Sequence, residues 1–446
     1  MGFDVAGIAP IGVWKDLEFS RQWAEKGFSG EMRYLENPKR FDPRLVLPSA
    51  KSVICVGLVY NAPLPCSTEV GAASVRSQKS EIRSQNKQLL GGGISEFGDN
   101  SASLASSSTG QRTTDDGQPA PRSWISRYAW GHDYHEVMRA KLEQLRAAIK
   151  GLAPGVETRV FVDTGPVVER AFARFSGIGW MGRNTCVINQ EKGSWFFLGV
   201  ILTSLELAPD LPAPDRCGSC TACLEACPTG ALVEPYVMDA SRCISYLTIE
   251  LKGPIPEQFR PKMGANVFGC DICQDVCPWN SSRQSSVLSF QQAPSQQWQS
   301  SDRRHVTHPA TTKVPQFHPM SVVLNHPAAE DGGIVKQPTT DNGPRTTDNG
   351  RLTTDNGPPT TATASFSLFS PPLDALASFS EDDFRRIFAR SPIKRLKYRG
   401  WLRNLCVAMA NSGDERFVPW LERAAQHSDP IVREHAAWAL ERLRTK

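Results

Sequence analysis

Two kinds of stretch alternate along the 446 residues: segments whose apolar positions keep a helical or strand period, and segments with no period at all. Positions 52–60 form an almost unbroken apolar run that predicts a strand. The longest such run, Trp195 to Leu202, predicts a buried strand within 195–205. Shorter strands are expected over 158–162 and 186–189, and Gln190-Glu191-Lys192-Gly193 is a hairpin signal joining 186–189 to 195–205. Helical spacing marks 17–26, 135–149 and 167–175, so strands and helices interleave in a mixed α/β layer. Beyond residue 364 helices are expected over 380–390, 395–412, 415–427 and 430–444.

The aperiodic stretches are of low complexity. Residues 67–121 are rich in Ser, Gly, Gln and Thr, and residues 281–364 contain Thr-Thr-Asp-Asn-Gly three times, starting at Thr339, Thr346 and Thr353. The seven-residue repeat lacks apolar a and d positions, so disorder is expected and not a coiled coil. Both stretches read as insertions into a continuous α+β fold. Its parts are an α/β domain from 1–66 and 122–208, a cysteine module over 209–280 and a helical region over 365–446.

Fifty Lys and Arg against 46 Asp and Glu give a net charge of +4, which permits contact with nucleic acid without requiring it. No stretch reaches the roughly 18 consecutive apolar residues that span a bilayer. Asp4, Lys15, Asp16 and Glu18 interrupt the start, so no secretory signal is expected. The chain has 12 cysteines, seven of them between Cys217 and Cys273. Without an export signal they are expected to be metal-binding thiolates in a reducing, cytoplasmic compartment.

The run Cys217-x-x-Cys220-x-x-Cys223-x-x-x-Cys227-Pro228 has the spacing that places three thiolates on one iron–sulfur cube and sends the fourth to a second. Cys243 and the run Cys270-x-x-Cys273-x-x-x-Cys277-Pro278 complete the set. By this logic one [4Fe–4S] cluster takes Cys217, Cys220, Cys223 and Cys277, and the other takes Cys227, Cys243, Cys270 and Cys273. Structural zinc is the plain alternative, but it has no use for the crossover before proline. Two cubes form an electron wire, and the rest of a chain this long should hold the acceptor.

Upstream, the strand at 158–162 ends in Asp163-Thr164-Gly165-Pro166. An acid there stands where α/β folds place ligands, or it caps the next helix. Gly177-x-Gly179-x-x-Gly182 matches a dinucleotide fingerprint literally, but a helix precedes it and a strand follows, so nucleotide binding is rejected. Asp133-x-His135 resembles the start of a cobalt-ligand motif, but Met138 stands at the glycine position. Asp133 is expected to cap the following helix.

These residues together resemble the epoxyqueuosine reductase family. The resemblance rests on Gly30-x-Met32-x-Tyr34-Leu35, Arg127-Tyr128-Ala129-x-Gly131-x-Asp133-Tyr134-His135 and Val162-Asp163-Thr164-Gly165-Pro166. It continues through Gly179-Trp180-x-Gly182-x-Asn184, both cysteine runs to Asn280, and Arg433-x-His435-Ala436-Ala437-Trp438-Ala439-Leu440. It implies cobalamin, bound without its base on cobalt, reduced to cob(I)alamin through two [4Fe–4S] clusters. It implies a low-potential ferredoxin or flavodoxin as donor. The implied substrate is the epoxide of epoxyqueuosine at the wobble position of a tRNA anticodon stem-loop, reduced to queuosine.

Asp163 matches the family's proton donor and would need a raised pKa for that task. Asp163, Asn184, Val187, Ser245 and Tyr246 are the candidate cofactor contacts. Asp133, His135, Lys394, Arg395, Lys397, Arg399 and Arg403 are the candidate substrate and tRNA contacts. Between Arg385 and Arg403 the chain carries no acidic residue, and crowded cations on helices suggest a phosphate partner. The alternation of these helices with short polar turns resembles a HEAT-type repeat.

Overall fold

A four-stranded sheet organises the N-terminal half, in the order Val5–Pro10, Ser52–Val59, Phe196–Thr203 and Thr158–Phe161, with every pair antiparallel. The computed structural model describes residues 1–67 other than Val13, 120–280, 310–325 and 363–445. Side chains alternate strictly along the inner strands. Phe196, Val200 and Leu202 enter one core, and Phe197 and Ile201 enter the other. The helix Tyr134–Leu152 covers the second face through Met138 and Leu142, and Glu169–Phe175 covers the first through Phe172 and Ala173. Gly199 lets the longer helix approach, because a Cβ there would lie 2.7 Å from Leu142. Burial on both faces explains why the two inner strands read as continuous apolar runs.

The predicted hairpin is corrected. Val187–Ile188 pairs with Trp180–Met181, while the turn after it closes only an Asn189–Gly193 bridge. Phe196–Thr203 lies instead at the sheet centre, where strands on both sides satisfy its backbone groups. The edge strand Val5–Pro10 was not expected from its pattern. It is held by sheet pairing and by the Asp4 carboxylate, which accepts from Val59 N–H at 2.8 Å.

The disorder expected over 67–121 and 281–364 falls largely outside the described residues. Residues 310–325 correct part of it. Val314, Phe317 and Val322 are buried, and Ser321–Asn325 pairs antiparallel with Thr363–Ser367. A few apolar side chains within a polar, Pro-rich composition were enough to join the core.

The C-terminal helices Lys397–Ser412, Val418–Ala424 and Pro430–Arg444 share one hydrophobic core with Trp124, Ile125 and Trp130 and with Val267 and Phe268 of the cysteine module. Polar ties reinforce the junction. Asn404 donates to the Thr248 and Val267 carbonyls, and His435 Nε2 accepts from Ile255 N–H at 3.1 Å. Arg403 is corrected as an RNA contact: it is buried, and its guanidinium donates to the carbonyls of Leu247, Leu251 and Gly253.

Candidate active site

Asp133 caps the helix Tyr134–Leu152, its carboxylate accepting from His135 N–H at 3.1 Å. That start fixes Tyr134 and His135 in the first turn, beside the end of the strand Thr158–Phe161. Tyr134 stacks on Phe197 at 4.2 Å and donates its hydroxyl to Asp163 Oδ2 at 2.7 Å. His135 stacks on Tyr134 at 4.1 Å and bonds Asp133 Oδ1 through Nδ1 at 2.7 Å. Its Nε2 stands 3.4 Å from Asp163 Oδ2, an ion-pair contact without hydrogen-bond alignment. Arg395 approaches the same oxygen at 4.0 Å and pairs with Glu250 at 2.8 Å. Lys394 holds the second oxygen of Asp133 at 2.9 Å.

The charges in this group decide one another. Burial works to raise Asp163, but His135, Tyr134 and Arg395 outweigh it and bring the carboxyl down to about 2. This corrects the raised value expected for a proton donor. Burial works to lower His135, but Asp133 and Asp163 outweigh it and raise the imidazole to about 9. At neutral pH the proton therefore sits on His135, and Asp163 is an anion whose side chain is 52% exposed. Asp133 is buried and bonded on both oxygens, so it positions His135 and does not face a substrate.

The cysteines gather in two places. Cys217, Cys220, Cys223 and Cys277 line one hollow, together with Arg183 and Trp279. Cys227, Cys243, Cys270 and Cys273 lie close enough for their charges to act on one another. Backbone N–H groups of Ser245 and Tyr246 and the Ser245 hydroxyl point at the Cys243 sulfur. Burial pushes Cys277 to about 12 and Cys223 to about 11, so an incoming cluster must displace protons here.

A cavity of about 430 Å³ lies between the α/β domain and the cysteine module. Its lining includes Arg40, Val168, Arg170 and Thr185 on one side and Asp215 and Tyr236 on the other. The candidate cofactor contacts sit elsewhere. Asn184 is buried and donates to the Cys273 carbonyl at 3.2 Å. Val187 is packed in the core, and the Tyr246 hydroxyl is spent on Glu31 N–H at 2.9 Å. Lys394, Arg395 and Arg399 are part-exposed to exposed but paired with protein carboxylates, and Lys397 is exposed. The cations from Arg385 to Arg403 are therefore not the unneutralised cluster their local sequence suggests.

Sequence reasoning assigned no role to Tyr134, although it lies within the Asp133-Tyr134-His135 motif. It also missed Asp271, buried between Cys270 and Cys273. Asp271 accepts from Trp124 Nε1 at 3.0 Å and Arg127 N–H at 2.8 Å, clamping the cysteine loop to the domain. Cys186, a ninth thiol hydrogen-bonded to Cys273, carried no signal in its spacing.

Comparison with known proteins follows the same outline. A family model described as "Epoxyqueuosine reductase QueG, DUF1730" matches residues 104–164, and a "4Fe-4S double cluster binding domain" matches 216–280. An epoxyqueuosine reductase of Xanthomonas campestris is 31% identical, with 98% of this chain and 92% of the relative covered. That of Escherichia coli is 35% identical, with 99% and 86% covered. A crystal structure of an epoxyqueuosine reductase with an epoxyqueuosine-modified tRNA-Tyr stem loop superposes with a TM-score of 0.64. It is 27% identical and covers 99% of this chain and 87% of its own.

Proposed function

This chain belongs to the epoxyqueuosine reductases, and from that premise we propose that it reduces the epoxide of epoxyqueuosine, at the wobble position of tRNA, to give queuosine. The net change takes two electrons and two protons and releases the epoxide oxygen as water. The observation that carries the reading is the half-exposed Asp163 carboxylate, backed by a protonated His135, on a loop beside the cavity that meets the cysteine module.

The double-cluster domain at 216–280 supplies the electron route, with the two four-cysteine sets as its ligands and a ferredoxin- or flavodoxin-type donor outside. Cobalamin suits the cavity. Arg40 and Arg170 can meet the amide carbonyls of a corrin rim, Asp215 can meet amide N–H groups, and Trp180, whose indole N–H is directed at the Cys217 sulfur, lines one wall between cavity and cysteines. When bound, cobalamin supplies the metal-centred reductant.

The chain's own residues handle the protons. His135 holds one beside Asp163, and Asp163 relays it to the oxygen that leaves. General acid help of this kind is worth roughly 10²–10⁴ in rate. Asp133 keeps the imidazole oriented, and Tyr134 holds the Asp163 carboxylate in place. Asp163 thus acts as a relay while His135 is the store. Lys394, Arg395, Lys397 and Arg399 form the face offered to the RNA backbone, on a HEAT-type stack of C-terminal helices, in a protein of the reducing cytoplasm.

The test is anaerobic reconstitution with iron, sulfide and cobalamin, followed by nucleoside analysis of epoxyqueuosine tRNA. Queuosine should form only with all three and an electron donor. A colourless zinc protein, or a fully loaded protein that yields no queuosine, sinks the proposal.

A further inference from the structure

We propose that Arg40 is a positioning residue that ties the placement of the Asp163 loop to occupancy of the adjoining cavity. The inference rests on the reading above, in which that loop carries the proton relay. Arg40 ends the short turn Pro38–Arg40, whose backbone is set by Pro38 and by the Asn37 side chain accepting from Lys39 N–H at 3.1 Å. From this fixed base its Nη1 donates to the Gly165 carbonyl at 2.7 Å, across 125 positions of sequence.

The loop needs such a tie. Asp163 has φ +53°, a left-handed backbone uncommon in residues with a Cβ, although Asp tolerates it better than most. Thr164 N–H turns back onto the Val162 carbonyl at 2.6 Å. Gly165 has no room for a side chain, since a Cβ would lie 2.3 Å from the Phe161 ring. Among the described residues the side-chain hydrogen bonds that reach this loop from elsewhere are Tyr134 on Asp163 and Arg40 on Gly165, beside the ion-pair contacts of His135 and Arg395 with Asp163.

Arg40 also lines the cavity, next to Val168, which follows the same loop. Among the described residues its Nη2 has no hydrogen-bond partner. One planar guanidinium therefore faces the loop with one nitrogen and is able to meet a ligand carbonyl or carboxylate with another. A ligand that engages Arg40 stiffens the side chain that holds Gly165, and so holds Asp163 where the substrate arrives.

The experiment compares amide exchange at Thr164 and Gly165 in the full chain, for the wild type, Arg40→Met and Arg40→Lys. Without cofactor, exchange should be roughly tenfold faster in Arg40→Met, with Arg40→Lys between. Hydroxocobalamin, with binding followed by its absorbance, should slow exchange in the wild type and not in Arg40→Met. In turnover, Arg40→Lys should lower kcat and leave KM for tRNA unchanged. Equal exchange in wild type and Arg40→Met overturns the proposal, as does equal slowing by hydroxocobalamin in both. Failure of hydroxocobalamin to bind the wild type overturns the coupling and the cofactor reading together. The cofactor-free comparison still judges Arg40 alone, and Asp163 is judged separately by turnover.

Discussion

In the cysteine module and in the Asp133–His135–Asp163 group, burial acts on ionisable side chains with opposite results. Burial pushes Cys277 to about 12, Cys223 to about 11 and Cys270 well above the usual thiol range, with neighbouring thiols adding to the rise; at Cys273 the hydrogen bond with Cys186 leads and burial follows. Among the described residues Arg183 is the cation in the hollow of Cys217, Cys220, Cys223 and Cys277, and burial outweighs it at Cys223 and Cys277. At the end of the strand Thr158–Phe161 the same desolvation is outweighed by close partners of opposite charge, and Asp163 and His135 remain an ion pair. His435 completes the contrast. More deeply buried, and beside the cations Arg260 and Arg403, it is pushed down by burial first and by those cations second, to about 3, and is a neutral structural hydrogen-bond partner. The module is built to be completed by a cluster, whereas the acid–imidazole group is complete as folded.

The most damaging change to this contrast is Cys273→Ala. It should abolish turnover and remove about four irons per chain, while the His135 imidazole still titrates near 9 by NMR. A shifted imidazole would show that the two regions are not electrostatically separate.

Next in size is His135→Gln, which should slow turnover by roughly 10²–10⁴. In the wild type the rate should fall as pH rises through about 9, because the folded imidazole, raised above its free value, loses its proton there. The stability that this charge adds is complete below the unfolded value near 6.5 and is lost over the same rise. Asp133, Asp163, Tyr134, Arg395 and Lys394 are the ionisable groups around it. The variant should lack the alkaline limb, and an unchanged limb would assign the proton to another group.

The smallest effects separate two cations on one helix. Arg403→Met leaves one buried and two part-buried carbonyls bare and should cost about 1.5–3 kcal/mol in a thermal melt, with the salt dependence of tRNA binding unchanged. Lys397→Met should leave the melt unchanged and reduce the salt slope by about 1. The reverse pattern would return Arg403 to the RNA face.

The gathering of the cysteines in two places was legible because all of them but Cys243 come from two closely spaced runs. The helix 430–444 was legible to the residue because Asp429 caps it and Pro430 opens it. Charge pairing was not legible. The stretch from Arg385 to Arg403 has no acid of its own. Arg385 and Arg386 pair with Glu381, Asp382 and Asp383 just before it, but the later cations find partners far away: Glu250 lies 145 positions from Arg395, and Asp133 reaches Lys394 from the start of the helix Tyr134–Leu152. The direction of the Asp163 shift was lost for the same reason. An apolar surface beside a carboxyl can be guessed from composition, but the imidazole and guanidinium that overrule it are brought there only by the fold. Residues 310–325 escaped because three buried apolar side chains do not alter the composition of a window of more than eighty residues.

Single-turnover conversion of epoxyqueuosine tRNA by Asp163→Asn, loaded with iron, sulfide and cobalamin and reduced beforehand, tests the account most directly. Asn keeps the size and polarity of the side chain but cannot relay a proton. Cluster and cobalamin absorbance should match the wild type while the rate of queuosine formation drops at least about a hundredfold. Queuosine formed at the wild-type rate would contradict the account.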